Sequence, residues 1–402
     1  MGLFRDPRIV PALMFHTVGL ERHPWVWSEI SESVESFEEK ISLLAAKKFC
    51  AISWSDLHAY MGGKKDVPPD SILLTFDDGY LDNWVFIYPL LKKYGMQATI
   101  FVNPDFVQPE TSARPNLEDV WNGRCRREDL TIAGFLNWAE LESMQRSGVI
   151  DIQSHAKTHT WYFSGSEIVD FYAPRSIEPY PWLLWNARPD RKPFYLSENQ
   201  QGFVPWGTPV FEHEKSLIVR RFFPDEPSVR RITDHVAEQG GAQFFDKPDW
   251  TTRLQQFASA TIEGRPFPGR YETDAEYEAR VRDELAGSKE LLEAKLGKPV
   301  DFICWPGGGN NQTVRRIAKE IGYKAWTLSS RDEGEKRNVA GTDPCTIKRI
   351  GTSNSIHVKG RRCGVCGARF QLLRIRAHQQ SWIHTMLLKG YKFAALSGTA
   401  LS

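Results

Sequence analysis

Short apolar runs alternate with longer amphipathic stretches over the first third of the chain and again near its end. Val10 to Phe15 reads as a buried strand, and Ser71 to Phe76 as a second, followed by a helix running through Tyr94 and closed by Gly95. Gln97 to Val102 and Val149 to Gln153 are further strands, and Trp138 to Ser147 is a helix stopped by Gly148. Ser36 with Glu39 has the spacing of a capping box and predicts a helix burying Phe37, Ile41, Leu44 and Ala45. Thr273 with Glu276 is another, opening a helix with Tyr277, Val281, Leu285, Leu292 and Leu296 that Gly297 ends. Val300 to Trp305 and Lys324 to Leu328 are strands around a helix from Gln312 to Ile321. This alternation predicts parallel β/α units rather than a sandwich.

The alternation lapses between about Thr160 and Phe267, where aromatic residues and prolines crowd together. A structureless loop of that length is improbable, so an insertion with its own small core is expected. Its rings, among them Trp161, Tyr172, Trp182, Trp185 and Trp206, suit core packing or a sugar-stacking groove. The strand-forming pieces flank this stretch and predict one interrupted domain. The chain of 402 residues is 41% hydrophobic and 25% charged, which excludes disorder throughout. With 51 Lys and Arg against 50 Asp and Glu it advertises no duplex-binding surface. Six cysteines are too few for a disulfide scaffold; Cys50, Cys125, Cys304 and Cys345 are scattered and read as small buried hydrophobes.

Two constellations could carry chemistry. Asp77-Asp78-Gly79 follows the strand ending at Phe76, the usual place for a site in a parallel β/α fold. Gly79 lets the chain turn sharply, and where one carboxylate holds a metal its neighbour is free to act as a base. Alone, Asp-Asp-Gly is also a common turn. His155 and His159 follow the strand ending at Gln153. At i and i+4 they share a face if the chain makes one helical turn, a spacing that suits zinc, cobalt or nickel. One carboxylate added to two imidazoles leaves coordination positions open for water and substrate.

Thr75-Phe76-Asp77-Asp78-Gly79 and Ser154-His155-x-x-x-His159 resemble the first two motifs of the polysaccharide deacetylases, carbohydrate esterase family four, which carry a NodB homology domain. The resemblance implies an α/β fold, a distorted (β/α) barrel of about seven strands interrupted here by the aromatic-rich insertion. Residues 8–160 and 273–355 would form the barrel, 161–272 the insertion as a substrate-groove element, and 356–402 a basic helical extension packed on the barrel. The implied activity is metal-dependent removal of N-acetyl groups from an N-acetylated sugar or glycan precursor, by attack of a metal-bound water. The implied roles are Asp77 as general base and Asp78, His155 and His159 as ligands of one divalent ion, zinc ahead of cobalt or nickel. The third family motif, of the type Arg-Pro-Pro-Tyr-Gly, maps onto Cys304-Trp305-Pro306-Gly307-Gly308. Cys304 stands where the Arg that steadies the base belongs, so another residue supplies that role or none does. Pro306, Gly307 and Gly308 would bind substrate and oxyanion, the glycines through exposed backbone N–H groups. Leu13-Met14-Phe15-His16 resembles the last family motif, moved to the front as in the poly-N-acetylglucosamine deacetylase branch, and makes His16 the general acid. A carbohydrate-binding protein of the same fold without turnover is the alternative, motivated by Cys304.

Near the end, Cys363 and Cys366 with His378 and His384 approach a two-Cys, two-His zinc site. A long helix over Phe370 to Leu388 would set the two histidines about 120° apart and not aim both at one ion. A helical tail is therefore the first expectation and a second metal site the weaker one. No nucleic-acid partner is expected. No apolar run reaches the length of a membrane span, and Met1 to Asp6 begins no secretory or myristoylation signal. The expected compartment is the cytoplasm, with peripheral contact at the inner face of the membrane allowed by the basic tail.

Overall fold

A computed structural model describes residues 5–328, 337–352, 355–358, 361–364 and 367–396, with side chains described up to 352 and from 367 to 390. Eight strands form the central parallel sheet: β1 (Ala12–Phe15), β2 (Ser71–Phe76), β3 (Ala98–Val102), β4 (Ile150–Ser154), β5 (Phe302–Ile303), β6 (Ala325–Thr327), β7 (Thr346–Ile347) and β8 (Arg349–Gly351). Their spatial order is β7-β6-β5-β4-β3-β2-β1-β8, with the short strand Cys50–Ala51 added beside β2. The two ends of this path, β7 and β8, are separated by Lys348 alone. One stretch of chain thus pairs with β6 through its first half and with β1 through its second, and the sheet curls until its ends meet. Counted as one strand, that stretch makes a distorted (β/α) barrel of seven strands, as expected.

Strand parity sorts the core. Successive residues of a strand face opposite sides, so Leu13 and Phe15 of β1 and Ile72, Leu74 and Phe76 of β2 point outward to the helices. Val10, Ala12, Leu73, Phe101, Phe302, Cys304, Ala325 and Ile347 form a separate cluster inside the barrel. Trp54, from the helix Trp54–Met61, packs edge-on against Phe101 and stops the lower end of this interior. Continuing the same parity upward brings His16, Asp77 and Arg349 to the interior side.

The surrounding helices follow the sequence closely, with three corrections. The helix Val34–Ala46 is capped by Ser33, whose hydroxyl accepts from the Ser36 amide, and not by Ser36. Val34 is buried with Phe37, Ile41 and Leu44, so the apolar face begins one turn earlier than the Ser36–Glu39 spacing suggested. The C-terminal helix is two helices, Gly367–His378 and Trp382–Leu396, broken at Gln379–Ser381 where Gln380 adopts a φ of 64°. Of the four scattered cysteines only Cys304 is fully buried.

The insertion pairs strands Trp161–Phe171 and Pro209–Lys215 antiparallel. Phe171, Phe211, Phe222, Ile232, Val236, Phe244, Leu254 and Phe267 form a core of its own. Tyr172, Trp182, Trp185 and Val210 instead pack against Leu20, Trp25, Tyr80, Phe106 and Phe135 of the barrel loops. Eight of the twenty aromatic residues from Thr160 to Phe267 are buried in these two clusters, and others, such as Phe163 and Trp206, pack partly buried against them.

The seam strand is pinned from below the surface. Lys40 donates to Glu32 at 2.5 Å and to the Thr352 carbonyl at 2.9 Å, both side chains being buried. Burial pushes the Lys40 ammonium below its usual pKa against the pull of Glu32. Lys40→Met strands a buried carboxylate and is expected to cost about 3–5 kcal/mol in urea unfolding. Adding Glu32→Leu removes the orphaned charge and should restore most of that loss.

Candidate active site

The barrel register gathers the upper ends of the strands. Phe15 pairs with Phe76, and Ser154 pairs with both Val102 and Ile303. His16, Asp77, Asn103, His155 and Cys304 each follow one of these residues directly, so the sheet itself brings them to one rim. Of these, His16, Asp77 and His155 line a cleft of about 430 Å³, together with Asp78, Trp27, Tyr80, His159, Trp161, Lys215 and Arg349.

Asp78, His155 and His159 converge. Asp78 Oδ1 lies 3.0 Å from His155 Nε2 and 3.2 Å from His159 Nε2. His155 Nδ1 lies 2.8 Å from the Cys304 carbonyl oxygen. A carbonyl only accepts, so Nδ1 carries a proton and Nε2 is the nitrogen directed at Asp78, the one a metal ion would take in place of a proton. Two imidazole nitrogens and a carboxylate oxygen within 4.8 Å of one another are a donor set that fits a divalent ion. Asp77, His155 and Cys304 form a second such cluster, but there both Asp77 oxygens and the Cys304 sulfur already face a guanidinium.

The histidine spacing acts differently from expectation. Residues 155–160 form no helical turn; Ala156 and His159 adopt φ of 57° and 42°, and Asp78 one of 78°. Left-handed backbone at non-glycine residues is costly and persists where the surroundings dictate it. Here Asn103 donates from its side chain to the His155 and Ala156 carbonyls. The Ser154 hydroxyl accepts from the Ala156 amide, and Tyr323 donates to that hydroxyl. Buried Glu284, on the helix Asp274–Leu296, accepts from the Thr158 amide and hydroxyl at 3.1 and 2.6 Å. Lys192 of the insertion donates to the Thr158 carbonyl at 2.9 Å.

Asp77 sits 3% exposed beside this group. Arg349 grips it with both nitrogens, Nη1 to Oδ1 at 2.6 Å and Nη2 to Oδ2 at 2.8 Å. Burial alone would raise the Asp77 pKa, but the charge and hydrogen bonds of Arg349 outweigh it and hold the carboxyl below its usual value. The same contact keeps Arg349 charged against its own burial. The arginine missing at position 304 is thus supplied from β8, on the other side of the barrel mouth. Cys304 Sγ fills the gap, 3.4 Å from Asp77 Oδ2 and 3.0 Å from Arg349 Nη2.

His16 Nε2 lies 3.8 Å from Asp77 Oδ2, adjacent but too far for a hydrogen bond. Burial lowers the imidazole pKa despite the two carboxylates nearby. In the glycine loop, the Gly308 and Gly309 amides are spent on turn bonds to Trp305 and Pro306 at 2.9 Å. Pro306 has no N–H, so of the expected donors Pro306, Gly307 and Gly308 only the Gly307 amide is left for a ligand. Gly307 has a φ of 53°, and Lys215 of the insertion lies so close that a Cβ there would meet its Cε at 2.6 Å. Trp27 and Trp161 stack at 5.8 Å on the cleft wall, so Trp161 is the insertion ring that the groove alternative had in view.

His378 and His384 lie on separate helices, His378 pushed to a pKa of about 4 by burial and His384 Nδ1 bonded to the Ser381 hydroxyl at 2.6 Å. Cys366 and the side chain of Cys363 fall outside the described residues, and with them the second metal site.

Below the site, Asp82 orders the chain after His16. It accepts from the Thr17 hydroxyl and the Val18 amide, each at 2.7 Å, while Asn83 donates to the His16 carbonyl at 3.1 Å. Burial raises the Asp82 carboxyl to about 7. Below about pH 4 the folded and unfolded chains both hold this proton. From there to about pH 7 only the folded chain does, so stability falls with rising pH by up to about 4 kcal/mol. Asp82→Asn keeps the bonding pattern without the titration; in urea unfolding its stability relative to the unsubstituted protein should rise between pH 4 and pH 7.

The polysaccharide deacetylase family model matches residues 64–177 and 259–326, the two pieces that flank most of the insertion. Over 96 residues the chain is 31% identical to YxkH of Bacillus subtilis, a polysaccharide deacetylase by name only, covering 24% of this chain and 32% of that protein. It is 20% identical over 302 residues to the poly-β-1,6-N-acetyl-D-glucosamine N-deacetylase of Escherichia coli K12, covering 75% of this chain and 31% of that one. The chain therefore spans about a third of the length of these curated relatives. Among solved structures, a de-N-acetylase from Aggregatibacter actinomycetemcomitans shares the fold at a TM-score of 0.51 and 15% identity, over 87% of this chain and 97% of that one. With both acidic and histidine motifs in order at the ends of barrel strands, the chain carries a polysaccharide deacetylase domain in the two matched pieces.

Proposed function

We propose that this protein is a metal-dependent N-deacetylase acting on an N-acetylated sugar within a glycan. The observation that carries this reading is the Asp78–His155–His159 donor set directly beside a carboxylate that Arg349 keeps ionised. A divalent cation held by those three residues, zinc first among the candidates, supplies Lewis acidity toward an amide carbonyl and lowers the pKa of a water.

The remaining steps belong to the chain's own groups. Asp77, ionised and desolvated, accepts a proton from the attacking water. Gly307 lines the cleft, and its amide is the donor offered to a developing oxyanion. His16, on the rim beside Asp77, delivers a proton to the nitrogen of the departing amine, which is too basic to leave as an anion. Trp27 and Trp161 offer stacked faces to a sugar ring. The reading without turnover rested on Cys304 in place of an arginine, and the Arg349 contact removes that motive. The cytoplasm remains the proposed compartment; no described helix is long and apolar enough to cross a membrane.

Asp77→Asn should lower turnover of an N-acetylglucosamine oligomer by about 10²- to 10⁴-fold while the protein still binds one zinc, counted by atomic absorption. Asp78→Ala and His155→Ala should lose metal and turnover together. An Asp77→Asn protein with undiminished turnover would overturn the role given to that carboxylate.

Arg349→Gln removes the strongest opposition to the burial of Asp77, so its pKa rises. Because activity needs the ionised form, the acid limb of the kcat/KM profile should move up by about 1–3 pH units, with far more activity lost at pH 5 than at pH 8. A uniform loss across pH would mean that Arg349 does not act through Asp77.

A further inference from the structure

All 50 acidic residues of the chain, but only 41 of its 51 basic ones, lie before Pro344; from Pro344 to Ser402 there are ten lysines and arginines and no carboxylate side chain. Within this arm the helix Gly367–His378 is fixed to the barrel. Phe370 and Ile375 are buried, and Arg376 pairs with Asp70 at 2.7 Å. The helix Trp382–Leu396 then presents Trp382, Ile383, Met386 and Leu387 at 43–50% exposure. Those four positions fall within an arc of about 140° and make one continuous apolar face. Lys389 and Arg369 are exposed in the same arm.

A surface helix of a soluble protein turns its charged side to water and its apolar side inward. This one turns an apolar row to water with Lys389 exposed beside it, in the one part of the chain that has no acidic residue. Nucleic acid would use the cations but leave the tryptophan and aliphatic row in water. A bilayer interface uses both: apolar side chains enter the headgroup boundary, tryptophan sits at its level, and Lys and Arg meet anionic headgroups. We propose that the helix Trp382–Leu396 docks the protein peripherally on an anionic lipid bilayer, with Trp382, Ile383, Met386 and Leu387 inserted.

The attachment has a direction. Gln379, between the two helices, bonds to the backbone of Asp6 and Ile9, and Asp70 immediately precedes β2. The docking helix therefore springs from the lower ends of β1 and β2, opposite the rim that carries His16 and Asp77.

The test is sedimentation of the full-length protein with vesicles of phosphatidylglycerol and phosphatidylcholine, against vesicles of phosphatidylcholine alone. Partitioning should be more than about tenfold stronger on the anionic vesicles and should fall with added salt. The pair Trp382→Ser and Leu387→Ser should lose it, and so should the separate pair Arg369→Glu and Lys389→Glu, with deacetylation and melting temperature unchanged. Equal binding to both vesicle types, or no binding by the unsubstituted protein, would overturn the proposal. So would sedimentation velocity showing a dimer that the Trp382→Ser, Leu387→Ser pair dissociates, which would assign the face to a second copy of the chain.

Discussion

The buried pair between Arg349 and Asp77 is the interaction on which the site depends. A carboxylate this far from water would ordinarily take up a proton, and a protonated Asp77 can accept nothing. The guanidinium answers both oxygens at once, with its own Nη1 also 3.2 Å from the Thr75 hydroxyl. Such a pair contributes little net stability, because desolvation cancels most of the attraction, but losing either member leaves a bare charge in the interior. Its value is that it fixes a protonation state. Arg349 belongs to the strand stretch that closes the barrel, 272 residues after Asp77 in the chain. Closing the ring and setting the charge of the carboxylate are therefore one event, and the buried Lys40–Glu32 pair that anchors Thr352 acts on both.

The loop that carries the candidate metal ligands illustrates the opposite case. Asp78, Ala156 and His159 hold unfavourable backbone angles, each costing of order 1–3 kcal/mol. The Ser154 hydroxyl, accepting from the Ala156 amide, is the local restraint. The others come from Asn103 just after the neighbouring strand, Glu284 on a helix more than a hundred residues later, and Lys192 in the insertion. The insertion thus does more than roof the cleft with Trp161 and Lys215: it carries one of the bonds that hold the histidines in place.

How much of this could be read from the chain divides along a physical line. Asp77, Asp78, His155, His159 and His16 were legible because each follows a strand whose apolar run marks its end, and strand parity does the rest. The cap at Thr273 and the glycine stop at Gly297 are equally local. Arg349 was not legible: β8 is three residues long, its burial is intermediate, and Lys348-Arg349 has the look of an ordinary basic surface pair. Its partner is set by barrel closure, which no window of sequence contains. The same holds for Glu284, which occupies an unremarkable position in a charged helix and is buried only because the 155–159 loop lies over it. The i, i+4 histidine spacing pointed to the right pair through the wrong geometry, since the loop reaches convergence through left-handed residues rather than a helical turn.

Cys304 and Arg349 are best understood as one exchange. The thiol lies beside the guanidinium–carboxylate pair, in contact with both, and is wholly buried. A side chain of arginine length at 304 would occupy the volume that the Arg349 guanidinium now fills, and would bring a second cation to a carboxylate whose two oxygens are already taken. The small residue at 304 is therefore a condition for the arginine at 349, and neither position can be judged alone. A motif missing one charged residue does not by itself indicate a lost function; the barrel interior offers the same point in space to side chains from several strands, and what the chemistry constrains is the charge at that point rather than the strand that delivers it.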